Sequence, residues 1–244
     1  MSAAASDLAG VAYWDEVWEA PTKTAFDSTN LYNRQLAALM RRFLEPVSKC
    51  GLILEAGCGD SIVTSFVADQ GFRTAGIDYS EAGCDKFRRN APGSMGYQAD
   101  IFDPPAQLLG AADGVFSLGL VEHFTDTTAT IAALARLVRP DGYVLTVVPN
   151  LRGTVGWLQK LLNRAAFDVH VPLAPSDLRA AHSDLEVIDA DYMGGISYGV
   201  VNPGKSVLSR SVVGLLSRLS RIPLALKVPS VQAFAPYCYC LART

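Results

Sequence analysis

Between Cys50 and Asn150, short apolar runs that stop at a glycine or an aspartate alternate with segments of helical period, and few architectures accept that order. "GLILEAG" (51–57) is an uninterrupted apolar run, the pattern of a strand covered on both faces. "SIVTSFVADQG" follows it with helical spacing and a closing glycine. "FRTAGIDYS" gives a second strand ending on Asp78, and "EAGCDKFRRN" a helix that runs out near Asn90 and Pro92. A weaker third strand lies in "SMGYQADI", a fourth in "ADGVFSLGLVEHF", and a fifth, rich in β-branched residues, in "YVLTVVPN". The helix before the fifth, in "TTATIAALARLVRPDG", presents Ile131, Leu134, Leu137 and Val138 on one face. Strands and helices alternating at this length call for right-handed crossovers, and hence for an α/β fold with a doubly wound, mostly parallel sheet.

In such a sheet, ligands bind beyond the carboxyl ends of the strands, where the strand order reverses. Gly57, Asp78, Asp100 and Gly119 are expected to gather there. After Asn150 the alternation stops and two amphipathic helices stand out. One, in "GTVGWLQKLLNRAAF", sets Val155, Leu158, Leu161, Leu162 and Ala165 against Lys160 and Arg164. The other, in "SVLSRSVVGLLSRLSRIP", sets Leu208, Val212, Leu215, Leu216 and Leu219 against Arg210, Arg218 and Arg221. Between them the pattern predicts a short helix capped by Ser176 and a strand from about Leu185. "SVQAFAPYCYCLAR" reads as a last, antiparallel strand at the end of the sheet. The chain then divides into an N-terminal helical segment over the ligand site (1–48), a binding core (49–150), and helical cap insertions with the last strands (151–244).

With 244 residues, half of them hydrophobic, the chain can bury a full core. Its net charge of −3 offers no basic face for a phosphate backbone, which argues against nucleic acid and for a small neutral or cationic ligand. The five cysteines form no C-x-x-C pair and read as free thiols of a reducing, cytoplasmic compartment. No metal site is expected. No apolar span suffices for an integral membrane segment, and the N-terminus has neither the basic nor the apolar region of a signal peptide.

The turn "EAGCGD" brings backbone close to a ligand, because Gly57 and Gly59 carry no Cβ. A pyrophosphate is a poor occupant, since Glu55 and Asp60 flank the turn, and the G-x-G-x-x-G dinucleotide pattern fails at Ile62. Asp78 stands about twenty residues on, where a carboxylate accepts ribose hydroxyls, and Asp100 follows the third strand. The ligand that fits is a nucleoside with a cationic, amino-acid-like arm.

At these residues the sequence resembles the class I S-adenosylmethionine-dependent methyltransferases of the small-molecule type. "ILEAGCGD", "GIDYS", "QADIF", "FSLGLVEHF" and "LARLVRPDGYVLTVVPN" are similar to successive motifs of that family. The resemblance implies a seven-stranded Rossmann-like sheet with an antiparallel last strand, and S-adenosyl-L-methionine as cofactor. It implies that Gly57, Cys58 and Gly59 line the methionine moiety, that Asp78, with Tyr79 beside it, holds the ribose, and that Asp100 and Ile101 meet the adenine. Gly119 and Leu120 would line the wall near the sulfonium, and Glu55 belongs to the same set chiefly by ordering the loop. In "AYWDEVWE", Tyr13, Trp14 and Trp18 either lid the cofactor's cationic groups or pack as a helix core.

Methyl transfer from a sulfonium depends on alignment and exclusion of water, with a base needed only where the acceptor must lose a proton. His123, just past the fourth strand, is the candidate base, or else part of the cofactor wall. His170 and Trp157 are candidate contacts to a small-molecule acceptor, and His182 reads as structural. The two amphipathic helices roof the acceptor, form a homodimer, or lie on a lipid surface. Two rival readings stay open: a nicotinamide-dependent oxidoreductase, and a cofactor-binding partner subunit without catalysis.

Overall fold

A computed structural model describes residues 6–18, 31–219 and 231–244. Two helices open the described chain, α1 (Val11–Trp18) and α2 (Leu31–Leu44). The alternating core follows as β1 (Leu52–Ala56), α3 (Val63–Asp69), β2 (Arg73–Asp78), α4 (Glu81–Asn90), β3 (Met95–Gln98), β4 (Ala112–Leu118), α5 (Thr127–Leu137) and β5 (Val138–Pro149). The remainder is α6 (Thr154–Leu162), α7 (Arg164–Asp168), α8 (Pro175–Ala181), β6 (Glu186–Met193), α9 (Val207–Leu219) and β7 (Tyr237–Arg243). All seven strands form one sheet in the order β3-β2-β1-β4-β5-β7-β6. The first five are parallel, and β7 runs antiparallel to both of its neighbours. Strand order therefore reverses between β1 and β4, and the tips of β1, β2 and β4 converge on one crevice.

The continuous apolar runs exist because both faces of the sheet are covered. Leu52, Leu54 and Ala56 of β1 enter the core shared with α5 and α8, while Ile53 between them enters the core built by α2 and α3. Val115 and Phe116 of β4 divide in the same way. In the second core, Phe43 of α2 meets Phe116 edge-on with ring centroids 6.3 Å apart, both fully buried. Burial of each ring contributes about 1.5–3 kcal/mol. α2 thus covers the sheet, whereas α1 lies against the strand tips.

Several expectations need correction. The last strand is antiparallel but not at the sheet's end: β7 lies between β5 and β6, and its Cys238, Cys240, Leu241 and Ala242 are buried as an interior strand requires. β6 takes the edge. The helix before β5 stops at Leu137, and Val138 is already extended and paired with Ala112. Pro140 disfavours helical geometry at the residue before it, and Asp141, at φ 64°, lies in the irregular stretch of β5 between its pairings at Val138 and Tyr143. The helix expected to be capped by Ser176 starts two residues earlier, at Pro175 after an N-cap at Ala174, whose N–H is accepted by the Asp177 carboxylate at 2.7 Å.

The amphipathic segments also differ from their helical wheels. The first breaks at Asn163, whose side chain accepts the Ala166 N–H and starts α7. Its Val155 and Leu158 are buried and Leu162 packs with them, but Leu161 is 64 % exposed and Ala165 is exposed. α9 turns Ser209, Val213 and Leu216 inward and leaves Leu208, Leu215 and Leu219 exposed. Arg221 lies outside the described residues. Among the described residues no helix is long and apolar enough to cross a membrane.

Candidate active site

The crevice at the strand tips begins with the turn after β1. Gly57 takes φ 67°, and its N–H donates to the Ile77 carbonyl at 2.9 Å, which ties the turn to β2. A Cβ there would come within 2.8 Å of Leu120, so only glycine lets the two loops close up. The Gly59 N–H donates to Oδ2 of Asp78 at 2.9 Å, and the Ser80 N–H donates to Oδ1 at 2.9 Å. Burial raises the Asp78 carboxyl above its ordinary value, while the N–H groups of Ser80, Gly59 and Tyr79 pull it back. Each oxygen retains a lone pair for a further donor.

Glu55 behaves differently from its appearance in the sequence. Its carboxyl is 1 % exposed, accepts from the Thr64 hydroxyl, and is pushed up to about 8 by burial. At neutral pH it is mostly protonated, so it contributes no field against an anion. The negative lining comes instead from Asp78, Asp100 and Asp7.

Asp7 belongs to an N-terminal strap that the sequence reading missed. Asp7 bridges to Phe124, the Leu8 N–H donates to the His123 carbonyl at 2.8 Å, and the Tyr79 hydroxyl donates to Oδ2 of Asp7 at 2.5 Å. The Ser80 hydroxyl donates to Asp15 of α1 at 2.6 Å. These bonds hold α1 over the crevice, with Trp14 and Trp18 stacked at 5.4 Å. Trp18 fills the space a Cβ on Gly59 would need, and its buried indole N–H has no hydrogen-bond partner.

The crevice is lined by Gly57, Asp78, Tyr79, Asp100, Ile101, Gly119 and Leu120, seven of the expected cofactor residues. Asp7, Trp14, Trp18, Ile77, Ala99, Phe102, Leu118 and Phe124 complete it. Tyr13, Glu55, Cys58 and Gly59 stand behind the wall. Tyr13 packs edge-on against Trp14, and Cys58 is buried beside Phe87. The missed apolar members Phe102 and Phe124, edge-to-face at 5.3 Å, looked like ordinary core positions in the sequence.

A second chamber opens behind the first and shares Leu118 and Gly119 with it. Gly119 has φ 73°, and a Cβ there would have only Glu122 Oε1 within 4 Å, at 3.5 Å. The chamber is walled by Val147, Pro149, Val200 and Tyr237 and carries Glu122, His123 and His170. Nδ1 of His123 lies 2.8 Å from the Val169 carbonyl, which can only accept; Nδ1 therefore bears the proton and Nε2 offers its lone pair. Nε2 is 3.9 Å from Oε1 of Glu122, and the rings of His123 and His170 are 4.3 Å apart. Trp14, in the wall of the first chamber, meets His123 of the second edge-on at 4.7 Å.

Burial pushes Glu122 up to about 8. Burial first, then the neighbouring His170, lowers His123 to about 3, and burial lowers His170. A histidine of such low basicity is a poor acceptor of protons near neutrality. Trp157, expected near the acceptor, is 66 % exposed and lies outside both linings, because the break at Asn163 ends α6 with its outer face toward solvent. His182 is structural: its Nδ1 donates to the Leu178 carbonyl and its Nε2 lies 3.2 Å from the Thr146 hydroxyl.

A methyltransferase-domain family model matches residues 29–185. A ubiquinone biosynthesis O-methyltransferase from Aromatoleum aromaticum is 31% identical over 138 residues, 52% of this chain and 59% of that protein. One of the same name from Dechloromonas aromatica is 26% identical over 181 residues, 69% of this chain and 78% of its own length. The chain thus spans less than two thirds of the first of these relatives. Among solved structures, the fold is similar to a complex of the Haloferax volcanii Trm112 methyltransferase activator and a methyltransferase, with TM-score 0.66 at 14% identity, covering 98% of this chain and 97% of the other. It is also similar to geranyl diphosphate C-methyltransferase from Streptomyces coelicolor, with TM-score 0.60 at 14% identity, 94% of this chain and 97% of the other. The family match removes the oxidoreductase alternative and makes S-adenosylmethionine the cofactor. The chain belongs to the methyltransferase-domain family, within the class I S-adenosylmethionine-dependent methyltransferases.

Proposed function

We propose that this methyltransferase acts on a hydroxyl oxygen of a small, largely apolar acceptor held in the second chamber. The observation that carries the reading is that two unlike chambers share Leu118 and Gly119 in their walls, one acidic and aromatic, the other lined by apolar residues with Glu122, His123 and His170. The O-methyltransferase names of the relatives from Aromatoleum and Dechloromonas support oxygen over nitrogen or carbon.

The residues of the first chamber fit the cofactor. Gly57 allows backbone approach, the indole N–H of Trp18 is an unpaired donor suited to a carboxylate, and Asp78 keeps lone pairs for two hydroxyls. When bound, S-adenosylmethionine supplies an electrophilic methyl group. In this reading Asp78 accepts from the ribose hydroxyls, Asp100 from the adenine amine, and the Trp14 and Trp18 faces attract the positive sulfonium. Gly119 leaves the path to the acceptor open, while α1 above and the 169–171 segment beside His123 exclude water. The Val171 N–H, donating to the Glu122 carbonyl at 2.6 Å, holds that segment in place.

Transfer of a labelled methyl group from S-adenosylmethionine to a panel of phenols, aliphatic alcohols, amines and thiols tests the reading. Labelled phenol or alcohol ethers are expected, and Gly119→Val should reduce turnover by at least about tenfold by obstructing the passage. Labelling confined to amines or thiols, or none with any acceptor, would contradict it.

A further inference from the structure

Glu122 and His123, both buried, and the half-buried His170 stand out as polar groups whose bonding is incomplete. Oε2 of Glu122 and Nδ1 of His170 are both shut off from solvent without a hydrogen-bond partner. Leaving such atoms unpaired costs roughly 1–3 kcal/mol each, and native interiors rarely keep them. One donor atom from each of the three residues lies within 4.8 Å of the other two.

We propose that Glu122, His123 and His170 bind a first-row divalent cation of the zinc type, with one coordination position open to the second chamber. Two imidazoles and a carboxylate are a recurrent zinc donor set in sites that keep an open position. Zinc bonds of about 2.0–2.2 Å would place neighbouring donors roughly 3.3 Å apart, so closure by about 1.5 Å at most completes the site. The outer shell is already built. A histidine that ligates through one nitrogen usually donates its other N–H to a carbonyl or carboxylate, and His123 gives Nδ1–H to Val169 while Nε2 faces Glu122. The 3-10 turn at Val121–His123 places Glu122 and His123, and the segment after α7 brings His170 to them. An ion here would hold an acceptor oxygen and ease its deprotonation. That role rests on the proposed function; the ion's binding does not.

Chelator-stripped, reduced protein titrated with Co²⁺ and read by visible absorption tests the site. One equivalent should give the bands of a low-coordinate nitrogen–oxygen site, and Zn²⁺ should displace it. His170→Ala and Glu122→Gln should each weaken Co²⁺ binding at least about tenfold, with S-adenosylhomocysteine affinity changed less than about twofold. Absent bands, thiolate charge-transfer bands, or binding unaltered in both variants would overturn the proposal. Should a variant misfold, wild-type protein decides alone. Of its three histidines, two must shift their ring nitrogen resonances on addition of Zn²⁺, and a titration that moves none or only one contradicts the site. Cobalt binding with no methyl transfer would instead count against the proposed function alone.

Discussion

Glu55 sits one residue before the glycine turn, where the sequence suggests a charge and the fold supplies a nearly neutral acid. Its carboxyl, normally near 4.5, titrates in the folded chain at about 8 because burial penalises the anion. The folded state therefore holds a proton that the unfolded state releases. The resulting stability is complete below the unfolded value near 4.5 and declines as pH rises to about 8. Glu55→Gln removes that dependence while keeping an acceptor for Thr64. Urea midpoints measured at pH 5 and pH 8.5 should show the variant gaining on wild type at the higher pH, by on the order of a few kcal/mol. An equal difference at both pH values would refute the buried acid. Charge at a buried position is not legible from residue type, which is why Glu55 looked like part of an anionic rim. Asp78 and Asp100 were legible, since a strand followed by a turn fixes where their side chains point. Glu122 was not, because its partner His170 arrives from a distant segment after α7.

At the scale of elements, the five parallel strands could be read because burial on both faces turns each into a continuous apolar run. Helices after Asn150 were harder. A helical wheel shows α9 two apolar flanks, and the narrower one, through Ser209, Val213 and Leu216, is the one that packs. Asn163 competes with the helix through its own side chain, a local choice that periodicity does not record. α1 was legible as a helix and open as to role; its bonds from Asp15 and the neighbouring Asp7 hold it at the cofactor crevice. If its tryptophans contact a positive sulfonium, Trp18→Ala should weaken S-adenosylmethionine by about 1–2 kcal/mol, or roughly five- to thirtyfold, and S-adenosylhomocysteine, which lacks the sulfonium charge, by less. Calorimetry with both ligands measures the difference, and equal losses would contradict contact of Trp18 with the sulfonium.

For the whole molecule, α6 and α9 close on a small core of their own and leave large apolar residues outside it. Trp157 and Leu161 of α6, with Leu208, Leu215 and Leu219 of α9, are large hydrophobic residues in contact with solvent. If these residues meet a second copy of the chain, static light scattering should report twice the chain mass, reverting to one in a Leu208→Lys, Leu215→Lys variant, and a monomer at every concentration would refute a homodimer.

Methyl transfer between the two chambers presupposes that the strand-tip carboxylate at Asp78 holds the methyl donor. Calorimetric titration of S-adenosylmethionine into wild-type protein and into Asp78→Ala, each checked for intact folding by circular dichroism, addresses this directly. Loss of two hydrogen bonds to a charged acceptor, about 1.5–3 kcal/mol each, predicts an affinity at least about a hundredfold weaker in the variant. An affinity that does not change would contradict it.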